Sequence, residues 1–376
     1  MTQTPASVWT PPATQLRQAL AGLSTIAVLL SVIVVVLALN LLVDSVLLDR
    51  FITEMFIDIT MVVGLQIFMG NTNILWFPHV GFMGIGAYAS VIFTMGPVQK
   101  LMSLPEIYPF LAEIEMAFLP ALLCGALVAA VAAAIIGLPM MRLSDFPAVI
   151  AGFALLVVIH VVLLHWTALT NGPQTLFGVE RHTYSWTAAL WAALAIIAAY
   201  LFKESKVGLQ LRASREDLIA ARTVGINIMF VRWLGLVLSA FIAGLSGGLY
   251  AHYITAFMPN AFFLTETFVI LSMLVIGGPA TISGAVAGGV LVTIFYQSLR
   301  WVENSEAIRI VFPGGAGGAS TIALALILIA ILVWRPGGLF EREELSYPAL
   351  ARASRRLRGA LTGAGAERQT GRHGDE

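Results

Sequence analysis

Asp58, His160, His252 and Glu266 stand inside stretches that are otherwise apolar, and Gln66, Asn71, Asn73 and His79 gather around Trp76-Phe77-Pro78. Side chains of these types could hold a metal, relay protons or line the route of a polar solute. Metal binding has the least support. His160 and His165 are five residues apart, so they do not share a helix face, and no cysteine or carboxylate cluster joins them. The one cysteine, Cys124, lies in an apolar run and has no partner for an intrachain disulfide. A proton relay has no chain of acids behind it. A solute route suits the pattern, because polar side chains at membrane depth are costly unless they face a partner, water or the bundle interior. Pro78 removes a backbone donor and favours a break in the helix. Gln66, Asn71, Asn73, His79 and Glu266 are therefore the candidate path residues, the first four along a discontinuous helix. The competing reading is a satisfied hydrogen bond between helices, or an ordinary turn. No G-x-x-x-x-G-K-[ST] phosphate loop occurs, and Gly314-Gly315-Ala316-Gly317-Gly318 has no lysine after it. No catalytic residue, metal or cofactor is indicated, so any nucleotide chemistry belongs to a partner.

Composition says what kind of scaffold positions these residues. Of 376 residues, 59% are hydrophobic and 11% charged, whereas a soluble domain carries about 25% charged residues. Such a chain has lipid for its main solvent. Twenty-one basic and 21 acidic residues give zero net charge, so nucleic-acid binding has no electrostatic support. A bilayer core about 30 Å thick takes about 20 apolar helical residues to cross. Ten segments qualify: 20–43, 51–70, 74–96, 116–138, 146–165, 185–202, 230–253, 264–276, 282–299 and 319–334. The first is too long for a signal-peptide core and reads as a retained anchor. The eighth is short and ends at Gly277-Gly278-Pro279. The fold class is an all-α polytopic membrane protein, a bundle of about ten transmembrane helices, or eight to ten if some are re-entrant. With the N-terminus in the cytoplasm, sixteen of the 21 Lys and Arg residues fall on the inner side, and only Arg50, Lys100, Arg181, Arg300 and Arg309 outside. Both termini are thus expected in the cytoplasm. Residues 1–19 form a cytoplasmic segment, 20–340 the transmembrane domain with a large inner loop at 203–229, and 341–376 a cytoplasmic tail. The tail lacks an apolar period and reads as disordered or as a surface helix, with Arg352 to Arg358 suited to anionic headgroups.

The inner loop carries the most specific local signal. Ser214 followed by Asp217 resembles a capping box with the shorter acid, and Gly225 sits where a C′ glycine ends a helix. A helix of about ten residues, roughly 15 Å long, is expected between them. Leu218, Ala221 and Val224 share one face of it, while Arg215, Glu216 and Arg222 occupy the others. Such a helix either docks into a groove on another protein or lies on the membrane surface. Small residues recur elsewhere, at Gly81, Gly84 and Gly86, at Gly244, Gly247 and Gly248, and at Gly284, Gly288 and Gly289. Gly84, Gly244, Gly248, Gly284 and Gly288 are read as close helix packing.

Gly208 to Asn227, followed by Phe241 to Ala251, resembles the permease family of branched-chain amino-acid ABC importers. Further matches follow in order: Val63-Gly64-Leu65, Gly81 to Tyr88, Trp166-Thr167 with Thr170 and Gly172-Pro173, Ile276-Gly277-Gly278 with Ser283-Gly284, and Arg335-Pro336 with Gly338-Leu339. Together they span about residues 60 to 340, and within the family the chain looks like the longer of two paralogous permeases. Before His79 it departs from the family pattern, with Asn73, Trp76 and Pro78 at neighbouring positions. The resemblance implies that Ser214, Arg215, Glu216, Asp217, Ala220, Ala221 and Gly225 belong to a helix coupling the permease to a cytoplasmic ATPase. It also implies a paralogous permease subunit, two ATPase subunits and an extracytoplasmic solute-binding protein as partners, in a cell membrane. The solute implied is a branched-chain amino acid or a related small solute, with urea or a short amide as the alternative. An ion-coupled secondary carrier is the rival from another class. It needs buried charges to hold the coupling ion, and the sequence offers few.

Overall fold

The computed structural model describes residues 12–43, 45–143, 145–303, 318–335, 337–340 and 344. The expected features at 1–11, at Gly314 to Gly317 and at Arg352 to Arg358 lie outside the described residues.

The chain folds as a helical bundle. Helix α1 spans Pro12–Val43, and α2 spans Val46–Leu65 and continues through a π-helical turn, Gln66–Gly70. Helix α3 covers His79–Thr94, and α4 (Pro97–Ser103) and α5 (Pro109–Ala112) are short pieces before α6, Phe118–Met140. Helix α7 is Asp145–His165, α8 is the single turn Thr167–Thr170, and α9 is Ser185–Glu204. Helices α10 (Lys206–Glu216) and α11 (Leu218–Thr223) fill the loop before α12, Ile228–Ile254. Helices α13 (Leu264–Gly277), α14 (Ile282–Glu303) and α15 (Ala319–Trp334) complete the described bundle. Among the described residues eight helices are long and apolar enough to cross a bilayer, and His79–Thr94 and Ala319–Ile331 are shorter apolar helices. These correspond to the ten segments read from the sequence. The largest difference is before α3: residues 73–78 are not helical, and Asn73 has φ 58°.

Helix α12 is the centre, packed on α3, α6 and α2, while α2 also meets α9 and α14. Where α3, α6 and α12 meet, backbone approaches backbone. A Cβ on Gly86 would lie 2.3 Å from the Gly244 Cα, and one on Gly247 would lie 1.9 Å from the Met83 carbonyl oxygen. Apolar side chains gain little from leaving lipid for a helix interface, so close contact of this kind supplies the packing energy instead.

The α13–α14 break is closed by the chain after α15. Leu339 and Phe340 donate their N–H groups to the carbonyls of Ile276 (2.9 Å) and Gly277 (3.0 Å). Glu344 caps α14, accepting from the backbone N–H of Ile282 (3.0 Å) and Ser283 (2.9 Å) and from the Ser283 hydroxyl (2.6 Å), and it pairs with Lys203. The tail boundary expected at 341 thus falls inside a set of contacts. Burial is the largest influence on the Glu344 carboxyl and opposes its charge, but Lys203 and the Ser283 donors outweigh it and hold the carboxyl below its ordinary range. A depressed folded pKa adds stability above the unfolded value, about 4.3, and this stability is lost as pH falls through the folded value. Glu344→Gln should therefore lower the melting midpoint of the detergent-solubilised protein at pH 7, by a loss of about 1–3 kcal/mol. The gap from wild type should shrink as pH falls below that unfolded value; a gap that persists undiminished in acid would detach the effect from the charge.

Candidate functional site

Three carboxylates meet inside the bundle. Glu54 and Asp58 are four residues apart on α2, so they share a face. Thr293 and Gln297 repeat that spacing on α14. Thr293 Oγ1 donates to Asp58 Oδ2 at 2.9 Å, and Gln297 Nε2 donates to Glu54 Oε2 at 2.7 Å. Glu266, near the start of α13, is the third, and it accepts no hydrogen bond from the described residues. They line a cavity of about 470 Å³ together with a fourth carboxylate, Glu303, and with Arg300, Tyr250, Tyr296, Val269 and Met273. Arg300 lies 5.9 Å from the Tyr296 ring centroid. A second cavity of about 410 Å³ adjoins the first and is lined by Arg50, Arg181 and Tyr253. Glu54, Tyr250 and Arg300 line both. Arg181 is held by Asp49 at 3.5 Å and sits 5.0 Å from the Tyr184 ring. Both volumes fall in the range of small-molecule sites, about 300–1,000 Å³.

The other candidate path residues lie elsewhere. None of Gln66, Asn71, Asn73 and His79 lines either cavity, and Glu54 and Gly70 are separated by about 24 Å along the helix axis. Gln66 is buried in the π-helical turn, and neither amide atom has a hydrogen-bond partner among the described residues. Asn71 is buried and donates to the Ile67 carbonyl at 2.9 Å, while Asn73 is exposed. His79 is buried with Nε2 2.7 Å from Ser239 Oγ, which itself donates to the Gly64 carbonyl. His160 stacks on Phe263 at 3.8 Å, and His252 Nδ1 lies 2.8 Å from the Gly248 carbonyl. The described residues contain no group of three or more His, Cys, Asp or Glu able to hold a metal.

The loop differs from its sequence reading. It is two helices, not one. Ser205 caps α10, accepting from Gly208 N–H at 3.2 Å. Asp217 caps α11, accepting from Ile219 N–H at 2.8 Å and Ala220 N–H at 3.0 Å. Ser214 caps nothing, because it lies inside α10 and its hydroxyl donates back to the Leu211 carbonyl at 2.7 Å. Gly225 has φ +88°, a backbone conformation that favours glycine, and it follows α11. Arg215 turns inward, donating to the Gly70 carbonyl at 2.7 Å, and Ala221 is buried. Val224 does not share the Ala221 face as expected: it is 82% exposed, Ile219 is 78% exposed, and Glu216 and Ala220 also face out. The packing glycines each meet a neighbour at close range. A Cβ would lie 3.0 Å from Phe262 at Gly84, 2.5 Å from Ala129 at Gly244 and 2.5 Å from Leu122 at Gly248. At Gly284 and Gly288 it would meet the carbonyls of Gly278 (2.5 Å) and Met273 (1.9 Å).

A polytopic helical bundle with a polar cavity between its apolar helices and a structured loop between two of them has the build of a transport permease. The family model described as "Branched-chain amino acid transport system / permease component" matches residues 47–334. The chain belongs to that family, and it is a multi-pass inner-membrane permease of the ABC-transporter type. It is 24% identical over 323 residues to the high-affinity branched-chain amino acid transport system permease protein LivM of Salmonella typhimurium, which covers 76% of this chain and 68% of that one. The LivM protein of Escherichia coli is 24% identical over 312 residues, covering 73% of this chain and 66% of that one. Within the family the chain is of this longer, LivM type. A shorter stretch of 92 residues is 34% identical to the guanosine ABC transporter permease protein NupQ of Bacillus subtilis, covering 24% of this chain and 29% of that one. No solved structure matches.

Proposed function

We propose that this chain is one half of a heteromeric, ATP-driven importer for a small amino-acid-like solute. It pairs with a paralogous permease, two cytoplasmic ATPase subunits and an extracytoplasmic binding protein. The observation that carries this reading is the loop: a capped helix, α11, presents Ile219 and Ala220 outward, with Val224 exposed just after it, while Arg215 ties the neighbouring α10 to the π-helical turn after α2. An apolar edge on a fixed helix suits a groove on a partner. ATP binding at the paired ATPases moves the docked loops and biases the bundle between outward-open and inward-open states. In this reading both termini and the 203–229 loop are cytoplasmic. The carboxylates Glu54, Asp58, Glu266 and Glu303 in one cavity favour a second reading, an ion-coupled carrier, because such a carrier needs charge inside the bundle to hold its ion.

One measurement tests the topology and a second separates the two readings. With Cys124 replaced by Ala, a cysteine at the exposed Arg222 should resist a membrane-impermeant maleimide in intact cells and react after permeabilisation. One at Gly178 should react in both. Labelling of Arg222→Cys from outside would reverse the topology. Uptake by the reconstituted complex should need ATP and survive an ionophore; uptake that survives without ATP and collapses with the ionophore selects the carrier.

A further inference from the structure

We propose that Lys203 and Glu344 form a strut that carries movement of the loop helix α10 to α14, so that the chain after α15 takes part in coupling the partner ATPase to the cavity. This rests on the permease reading above and deepens it. Both ends of α10 reach the same break between α13 and α14. At its start, Ser205 closes a tight corner with α9. A Cβ on Gly208 would lie 2.1 Å from the Phe202 carbonyl oxygen, so α9 and α10 turn there as one piece. Arg212 of α10 donates to the Lys203 carbonyl at 2.8 Å, and Lys203 Nζ pairs with Glu344. The Glu344 carboxylate in turn holds the first N–H groups of α14, at Ile282 and Ser283. At the end of α10, Arg215 donates to the Gly70 carbonyl, and a Cβ on Gly70 would lie 2.2 Å from the Pro279 carbonyl oxygen, inside the break. An 11-residue helix is about 16 Å long, so the two attachments are separate points.

The strut is stiff at each joint. The Lys203 side chain is 9% exposed and that of Glu344 18%, so water does not slacken the pair as it does at a surface. Opening a buried pair strands a charge and is costly, so the pair stays closed and the helices it joins move together. Leu339 and Phe340 fix the chain that carries Glu344 through their N–H bonds to Ile276 and Gly277. Gly338 packs so closely there that its Cβ would lie 2.6 Å from the Gly278 Cα. Thr293 lies about 16 Å along α14 from Ile282, and with Gln297 it bonds the cavity carboxylates Asp58 and Glu54. A shift of α14 against α2 therefore changes the cavity lining. Lys203 and Glu344 line neither cavity; they are positioning residues for transport.

The test uses the whole importer in proteoliposomes with cysteine-free partner subunits, and with Cys124→Ala, Leu127→Cys and Ser298→Cys in this chain. Leu127 on α6 and Ser298 on α14 are both exposed, so spin labels there report how α14 lies against the body formed by α3, α6 and α12. Their separation is measured without nucleotide and with ATP and vanadate, and ATP hydrolysis is assayed in parallel. This parent protein should show a nucleotide-driven shift of about 2 Å or more, the size of helix movements at a switching interface. Lys203→Met leaves the Glu344 cap on α14 in place and should abolish the shift, while the nucleotide-free separation, ATPase co-purification and basal ATP hydrolysis stay unchanged. Glu344→Gln should lose the shift as well, and Lys203→Arg should keep it. A full shift in Lys203→Met would overturn the strut and leave the permease reading standing. An altered nucleotide-free separation in Lys203→Met would do the same, by confining the pair to holding the fold. No shift in the parent with the ATPase bound would also overturn the strut alone. A parent that binds no ATPase would overturn both.

Discussion

Gly247→Leu leaves almost no folded protein. A Cβ at that position would lie 1.9 Å from the Met83 carbonyl oxygen and 3.1 Å from the Ala87 nitrogen, both backbone atoms of α3. No rotamer relieves such a clash, so α3 and α12 must separate. The same seam holds Gly86 against Gly244, and a Cβ on Gly125 of α6 would already lie 2.7 Å from the Gly86 carbonyl oxygen. Opening one contact therefore loosens three helices. Overpacking costs about 1–3 kcal/mol where side chains can give, and here backbone must move. Against a total stability of about 5–15 kcal/mol, the loss is large. The monodisperse peak in detergent size exclusion should fall by about tenfold or more. Gly96→Ala is the control, because its Cβ would meet nothing closer than the Glu115 Oε2 at 3.6 Å. A Gly247→Leu variant that eluted as wild type would show that the α3–α12 contact is not close.

The ten helical segments were legible because lipid imposes one requirement, an apolar run of sufficient length, and that requirement is local. The glycine repeats were legible for a similar reason: small residues clustered on one helix mark where a neighbouring helix can come close. The cavity was only half legible. Glu54 and Asp58 share a face of α2 by spacing alone, but Thr293, Gln297 and Arg300 reach them from α14, a tertiary event. Arg300 reads in sequence as one more outer-side charge. Grouping Glu266 with Gln66 failed for the same reason, since the two lie toward opposite ends of the bundle. The loop failed at finer scale. Ser214 and Asp217 both suit a cap by type, and sequence alone does not say which oxygen takes the N–H groups. Ser205 settles it: it starts α10 early, leaves Ser214 mid-helix and passes the capping role to Asp217.

That shift sharpens the expected result in the loop. Ser214→Ala should change little, because it removes only a hydroxyl bonded to the Leu211 carbonyl. Asp217→Ala removes the acceptor for two N–H groups. Loss of a cap costs about 1 kcal/mol, and a six-residue helix such as α11 has little propagation energy with which to absorb it. ATP-driven uptake should fall several-fold while the bundle stays folded. Ala220→Trp should act more strongly. Ala220 faces out beside Ile219 and Val224, so an indole there leaves this chain's own packing intact and meets only what docks. Ala221 is 5% exposed, so Ala221→Trp would disturb the loop itself and tests nothing about a partner. The Ala220→Trp protein should insert and express normally, lose ATPase co-purification, and lose about tenfold or more of its uptake, since overlap in a packed groove is hard to relieve. A helix lying on lipid would respond the other way, because tryptophan is favoured at the membrane interface. Full uptake by Ala220→Trp with the ATPase still bound would assign α11 to the membrane surface and remove the docking role.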